Sequence, residues 1–360
     1  MDDGILALGA ENRTAFSFIS GKEIVTGAPV DSLKEACNFI KYKNEIEEFL
    51  QKEKNKPQFI VCDMHPDYLS TSLAEEFQKK NDGSVLLKVQ HHHAHIVACM
   101  YDNGIEEEVI GVTFDGTGYG NDGHSWGGEF LVSSKTDFSR EYHLSYVLAP
   151  GADIVVKEAW RMALAYLRMA YGDNYLRLNI PLLKRIPVEK TSIIDHMMKR
   201  KINSPQTSSM GRLFDAVSSI LGICDVSRFE AEAAILLENS IEFGITEHYD
   251  YDIYESNIDV SQMIKQIVGD MEQGLSSGDI SAKFHNTIGE MVYSVSSLIA
   301  KKTEIGKVVV SGGCFQNKYL LNYITKRFEH DKLDLFTHKK FSTTDLGISV
   351  GQAVIAASIY

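Results

Sequence analysis

The stretch Val310-Ser-Gly-Gly-Cys-Phe-Gln-Asn317 decides how this chain is read. Ahead of it, Lys307-Val308-Val309-Val310 is apolar and β-branched, as a buried strand should be. Behind it, residues 315–328 carry helical spacing. Glycines between a strand and a helix let backbone approach closely, and the helix start offers free N–H groups at the positive end of a dipole. Such a turn can hold a phosphate. Cys314 has no identifiable base beside it, which favours packing over nucleophilic work.

A second loop of this kind is Asp115-Gly-Thr-Gly-Tyr-Gly120, after the strand over 108–114. The next element reads as a strand, so the loop is neither a P-loop nor a dinucleotide fingerprint. A tight hairpin turn is its other reading. Asp115 ends a strand, where a metal ligand or general base would sit. Two phosphate-competent loops, one on a hairpin and one on a strand–helix turn, are the pattern of the two-lobed, α/β actin-like ATPase (ASKHA) superfold. There they face each other across a cleft.

The remaining pattern divides three ways. Residues 1–150 read as a β-rich lobe I with a turn at Gly21-Lys22 and helices over 31–53 and 67–80. Residues 151–305 read as a helix-rich middle section of lobe II, with Asn203–Ser209 as a surface loop. Residues 306–360 read as an α/β return, whose apolar last helix over 344–359 needs burial against the first lobe. Within these, Asp215 sits on an apolar helical run beside Gly211, as a solvated residue or as a ribose or adenine contact. Asp345 precedes the last helix, where N-capping is the default role and turning toward a metal the alternative.

Four of the twelve histidines lie in five positions, His91-His92-His93-Ala94-His95, between two apolar runs. His91 and His95 are four apart, so a helix places them on one face, about 6 Å between Cβ atoms. That spacing suits two ligands of one ion. A metalloprotease with the same spacing needs Glu at the second position, where His92 stands. Capping or core histidines are the competing reading.

The bulk numbers narrow the classes. A net charge of −13 argues against nucleic acid or an anionic membrane as main partner. Five cysteines, none spaced C-x-x-C, suit a reducing compartment and exclude a cysteine zinc site. Met1-Asp-Asp-Gly4 lacks a basic leader, and no run approaches 18 apolar residues, so a cytoplasmic chain is expected.

Together, Val89-QHHHAHIVA, Gly111-VTFDGTGYGNDGHSWGGEFL, Lys157-EAWRMALAYL, Gly211-RLFDAVSSILGI, Ser281-AKFHNT, Val310-SGGCFQN and Thr344-DLGISVGQAVIA resemble the C-terminal, TsaD/Kae-like module of the HypF family. These are carbamoyltransferases of [NiFe]-hydrogenase maturation. The resemblance implies transfer of a carbamoyl group from carbamoyl-adenylate to the C-terminal cysteine thiol of HypE. It implies a divalent metal, zinc or iron, held by His91, His95 and Asp345, with Asp115 as a further ligand. It implies ATP or carbamoyl-adenylate, with magnesium as a further candidate, bracketed by Asp115, Gly116, Thr117 and Gly118 and by Gly312, Gly313 and Asn317. Gly211 and Asp215 would lie at ribose and base. A small-molecule O-carbamoyltransferase and an actin-like kinase or ATPase are the alternatives. Complete members carry further domains, so a YrdC-like domain would supply the adenylate in cis or in trans. Departures fall at Gly9-Ala-Glu-Asn-Arg-Thr14, at Gly27-Ala-Pro-Val-Asp-Ser-Leu33 and at Phe229-Glu-Ala-Glu-Ala233, where Ala231 replaces an expected glycine.

Overall fold

The computed structural model describes residues 4–21, 23–53, 56–329 and 332–360; Lys22 of the expected turn lies outside them. Among these residues the strands form a five-stranded sheet, a nine-stranded sheet and a two-stranded ribbon. The first sheet holds β1 (Gly4–Ala7), β2 (Ser17–Ser20), β3 (Glu23–Thr26), β4 (Pro57–Asp63) and β5 (Val85–Val89), in the order β3-β2-β1-β4-β5. The second is built on β6 (Val109–Tyr119), β7 (Ser125–Ser133), β8 (Phe138–Leu144), β9 (Lys307–Ser311) and β10 (Asp334–Phe336), in the order β8-β7-β6-β9-β10.

One plan is used twice. Each sheet has an antiparallel three-strand meander, and its first strand is flanked on the other side by two parallel strands. Parallel neighbours need long crossovers. In the first sheet these carry the helices Ala36–Glu53 and Leu69–Lys80; in the second, the crossover from β8 to β9 contains the whole helical section. This is the two-lobed α/β architecture expected from the two loops.

Two helices lie between the sheets. The histidine helix (His91–Asn103) packs on β6, β7 and β9, and the closing helix (Ile348–Ile359) packs on β1, β2 and β4 and against the histidine helix. One apolar core joins both helices to both sheets, through Ala7, Val61, Ile96, Val97, Val309 and Val354. A helix apolar on all sides is stable only when covered on all sides, which explains why the chain's last segment returns to its first lobe. Its few polar groups are answered there: buried Gln352 accepts from Gly9 N at 2.8 Å and donates to Gly9 O at 3.1 Å. Gly351 touches the histidine helix so closely that a Cβ would stand 1.9 Å from the Ala94 carbonyl oxygen.

The break between the two sheets falls between the histidine helix and β6: β6 pairs with β9, a partner distant in sequence, and β7 and β8 follow it into the second sheet. Period-two patterning identifies a strand without naming its sheet. The helical section also contains a short hairpin, Asp252–Tyr254 and Asn257–Asp259, at the edge of the second sheet. Asn203–Ser209 is not simply a surface loop. It supplies the strand Gln206–Thr207, and Ser208 and Ser209 are fully buried because distant groups take their hydroxyls.

Gly351→Ala should lower unfolding free energy by about 3 kcal/mol, the upper range for overpacking, measured by urea denaturation. An unchanged midpoint would show that the two helices do not need this contact.

Candidate functional site

Gln90, in extended conformation, starts the histidine helix; its side-chain oxygen accepts from His93 N at 2.9 Å. The helix then turns its four histidines to different tasks. His91 and His95 share a face and are fully buried. His92 packs near Trp126, with ring centroids 6.1 Å apart, and burial holds it well below the ordinary imidazole range, so it is neutral. His93 pairs through Nε2 with the Ser134 carbonyl at 2.9 Å. The latter two therefore anchor the helix to the β7–β8 hairpin.

Asp115 on β6 and Asp345 before the closing helix complete the cluster: one ligand atom from each of the four residues lies within 4.8 Å of the others. Asp115 Oδ2 stands 3.4 Å from His91 Nε2 and 3.5 Å from His95 Nε2; Asp345 Oδ1 stands 3.7 and 3.6 Å from the same atoms. Both Nε2 atoms are buried without a hydrogen-bond partner. Two ligands each about 2.1 Å from a tetrahedral ion are about 3.4 Å apart. The spacing is too long for strong hydrogen bonds and fits a shared cation. Asp345 is not the N-cap of its turn; Thr344 holds that position.

The electrostatics agree. Burial alone would lower His91, but Asp63, Asp115 and Asp345 outweigh it and hold it well above the ordinary range. His95 is raised in the same way against burial by Asp115 and Asp345. Burial would raise Asp115, yet His91 and His95 hold it well below the carboxylate range. Sequence reasoning missed Asp63, whose Oδ2 meets His91 Nδ1 at 2.7 Å. Its only signal was a carboxylate ending the apolar run Phe59–Cys62.

Two members of the cluster, Asp115 and Asp345, line a cavity of about 780 Å³, which Asn12 and Arg13 of the first lobe and Phe229–Ala231 of the second also line. Asp115, Gly116, Thr117, Gly313 and Asn317 line it, and so do Gly211 and Asp215. Contrary to expectation, the first glycine segment is not a loop after the strand: Asp115–Tyr119 continues β6, with a bulge between Phe114 and Gly118, and it meets the second loop directly, since Asp115 Oδ1 accepts from Gly313 N at 3.0 Å. Gly118 and Gly312 do not line the cavity. A Cβ on Gly118 would stand 2.4 Å from the His92 ring, and one on Gly312, whose φ is +104°, would stand 2.4 Å from the Phe114 carbonyl oxygen.

The helix Met210–Ile220 docks on the first glycine segment through its N-cap. Ser209 Oγ lies 2.9 and 2.8 Å from the Asp115 and Gly116 carbonyl oxygens, which share its one hydrogen, and accepts from Arg212 N. Gly211 permits that approach, since its Cβ would lie 2.9 Å from Gly116 Cα. Arg212, also missed from sequence, is buried beside that segment and pairs with Asp215 at 2.9 Å. Burial raises Asp215 to about 6. Asn317 caps the helix Lys318–Phe328 and donates to His285 Nε2 at 2.9 Å, so much of its bonding capacity is already used. Cys314 lines the cavity, but burial pushes its thiol well above the ordinary range, which disfavours a thiolate nucleophile. At the mouth, Arg13 pairs with Glu230 across the lobes at 3.4 Å.

Comparison with known proteins follows the same division. Residues 1–102 match the family model "HypF Kae1-like domain", and residues 111–352 match "Carbamoyltransferase, Kae1-like Domain, second subdomain". A "Carbamoyltransferase HypF" of Synechocystis sp. is 34% identical over 336 residues, covering 88% of this chain and 42% of that protein. A "Carbamoyltransferase HypF homolog" of Cupriavidus necator is 30% identical over 365 residues, covering 98% and 91%. Among solved structures, full-length HypF "in the phosphate- and nucleotide-bound form" aligns over 99% of this chain and 55% of that one, with TM-score 0.92 and 36% identity. T. kodakarensis HypF aligns over 99% and 48%, with TM-score 0.90 and 27% identity. The chain thus spans less than half the Synechocystis protein.

Two outcomes are expected. Ala231 has φ +59°, a left-handed conformation costly to a side chain. Ala231→Gly should stabilise the protein by about 0.5–1 kcal/mol in thermal unfolding; a loss would contradict that strain. The raised histidines stabilise the metal-free fold fully below about pH 6.5, and this is lost as pH rises through their folded values. The lowered aspartates act oppositely, their contribution being lost as pH falls. Metal uptake needs neutral imidazoles and so releases protons. Zinc affinity, followed by competitive titration, should rise with pH by up to about tenfold per unit per proton released; a pH-independent affinity would exclude these ligands.

Proposed function

Because this chain belongs to the HypF carbamoyltransferase family, we propose that it acts as the transfer module of that reaction in hydrogenase maturation. It takes carbamoyl-adenylate, supplied by a YrdC-like domain in cis or in trans, and passes the carbamoyl group to the C-terminal cysteine thiol of HypE. The observation that carries this reading is that four ligand atoms converge within 4.8 Å of one another, and the two aspartates among them line a cavity of about 780 Å³ together with both glycine-bearing segments. A solved relative described as phosphate- and nucleotide-bound supports nucleotide binding within this family.

His91, His95, Asp115 and Asp345 would hold a divalent ion, zinc or iron by the resemblance; the mixed nitrogen and oxygen donors suit either. When bound, such an ion is a Lewis acid toward acyl and phosphate oxygens. The chain's own residues do the rest. Gly116 leaves its backbone open to the cavity, because a Cβ there would meet only Arg212 Nη2, at 3.9 Å. Asp115 holds the second loop in register through Gly313 N, so one residue sets both the ligand cluster and the loop spacing. Arg212 supplies positive charge beside the first glycine segment, where the phosphate of the adenylate would lie. The thiolate of the acceptor attacks the carbamoyl carbon, its bond to the phosphate oxygen breaks, and AMP leaves. No nucleophile from this chain is required.

The test is incubation of metal-loaded protein with synthetic carbamoyl-adenylate and a peptide ending in the HypE C-terminal cysteine. A mass gain of one carbamoyl group on the peptide is expected, and its absence would overturn the reading. His91→Ala and His95→Ala should each lose bound metal, read by elemental analysis, and at least about 100-fold of the transfer rate.

A further inference from the structure

Each ligand histidine turns Nε2 into the cluster, so each needs a partner for Nδ1. The two are served differently. Asp63 meets His91 directly at 2.7 Å. His95 Nδ1 instead meets Ser311 Oγ at 3.3 Å, and Ser311 Oγ lies 2.9 Å from His338 Nε2. Beyond it, His338 Nδ1 stands 3.9 Å from Asp102 Oδ2, an electrostatic rather than hydrogen-bonded separation. Ser311 is fully buried, and the side chains of His338 and Asp102 are 6% and 1% exposed.

Only one arrangement of protons satisfies this row with Nε2 of His95 left as an electron-pair donor. His95 carries its hydrogen on Nδ1 and donates to Ser311 Oγ. The single hydroxyl hydrogen of Ser311 then goes to His338 Nε2, which accepts. His338 is neutral, since burial lowers it to about 4. Its one hydrogen is left on Nδ1, directed at Asp102. That aspartate also fixes the segment, accepting from the amides of Lys339, Lys340 and Phe341 at 2.5, 2.8 and 3.2 Å. Asp102 lies on the histidine helix seven residues after His95, two turns along the same face. One stripe of that helix therefore bears the ligands at its start and the clamp for His338 near its end.

We propose that His338 is a positioning residue for the ion site: through Ser311 it selects the His95 tautomer whose Nε2 faces Asp115 and Asp345. This rests on the ion site proposed above. Outer partners of ligating histidines usually contribute about 10–100-fold in metal affinity, and nothing else about His338 requires an acceptor at Nε2.

The experiment is competitive zinc titration of the intact protein and four variants, each checked for fold by circular dichroism. His338→Phe keeps a ring and removes the acceptor; it should weaken zinc binding about 10–100-fold. His338→Gln presents a carboxamide oxygen to Ser311 and should stay within about threefold of the parent. Ser311→Ala breaks the row from the other end and should match His338→Phe, which keeps the question answerable if that variant does not fold. His91→Ala reports on the site itself. Parent-like affinity in His338→Phe or Ser311→Ala, with binding lost in His91→Ala, overturns the inference alone, as does equal loss in His338→Phe and His338→Gln. A parent protein that binds no zinc, iron or other divalent ion overturns the site assignment and this inference with it.

Discussion

Two imidazole nitrogens, on His91 and His95, point at each other's carboxylate neighbours in a buried place and have no hydrogen bond. An unanswered buried polar atom costs about 1–3 kcal/mol, and these two, unlike the also unpartnered Nε2 of His92, converge on two carboxylates in one ligand-like group. The surrounding structure is arranged around that pair. Asp63 and Ser311 sit behind the rings, and Gly118 lies against the His91 and His92 rings with no room for a side chain. Gly351 lets the closing helix press on the histidine helix, and Asp345 arrives on the turn just ahead of that helix.

The same constraint explains why the site lies between two sheets that share one plan. The histidine helix is the passage from the first sheet to the second, so its ligands meet Asp115 from the second sheet's first strand and Asp345 from the last turn of the chain. The glycines divide by task. Gly116, Gly211 and Gly313 line the cavity, Gly211 with the Gly116 backbone also against it, whereas Gly118 and Gly312 are small because rings or backbone stand against them. Two of the three departures from the family pattern line the cavity: Ala231 in left-handed conformation, and Arg13, with φ +43°, paired across the lobes to Glu230.

Much of this was legible in the sequence, for identifiable reasons. Strands such as Lys307–Ser311 and the long helices carry strong periodicity, and the spacing of His91 and His95 requires one face of a helix. Asp115 and Asp345 came from their positions at a strand end and a helix start, joined by the resemblance. What stayed hidden depends on contacts between distant segments. Which sheet β6 joins is settled by its parallel pairing to β9, and local pattern carries no record of that. The burial of Ser208 and Ser209 depends on Glu129 and Asp115. Glycine looks the same in sequence whether it exposes backbone to a ligand or makes room for a neighbour, so Gly118 and Gly312 could not be told from Gly116.

The central claim is that His91, His95, Asp115 and Asp345 hold one ion at the end of the cleft. The most direct measurement is an anomalous difference map from crystals of the protein grown with zinc, collected across the metal edge. The account predicts a single dominant peak about 2.0–2.2 Å from both Nε2 atoms and from an oxygen of each aspartate. A map with no peak there, or with its peak on other residues, would contradict it.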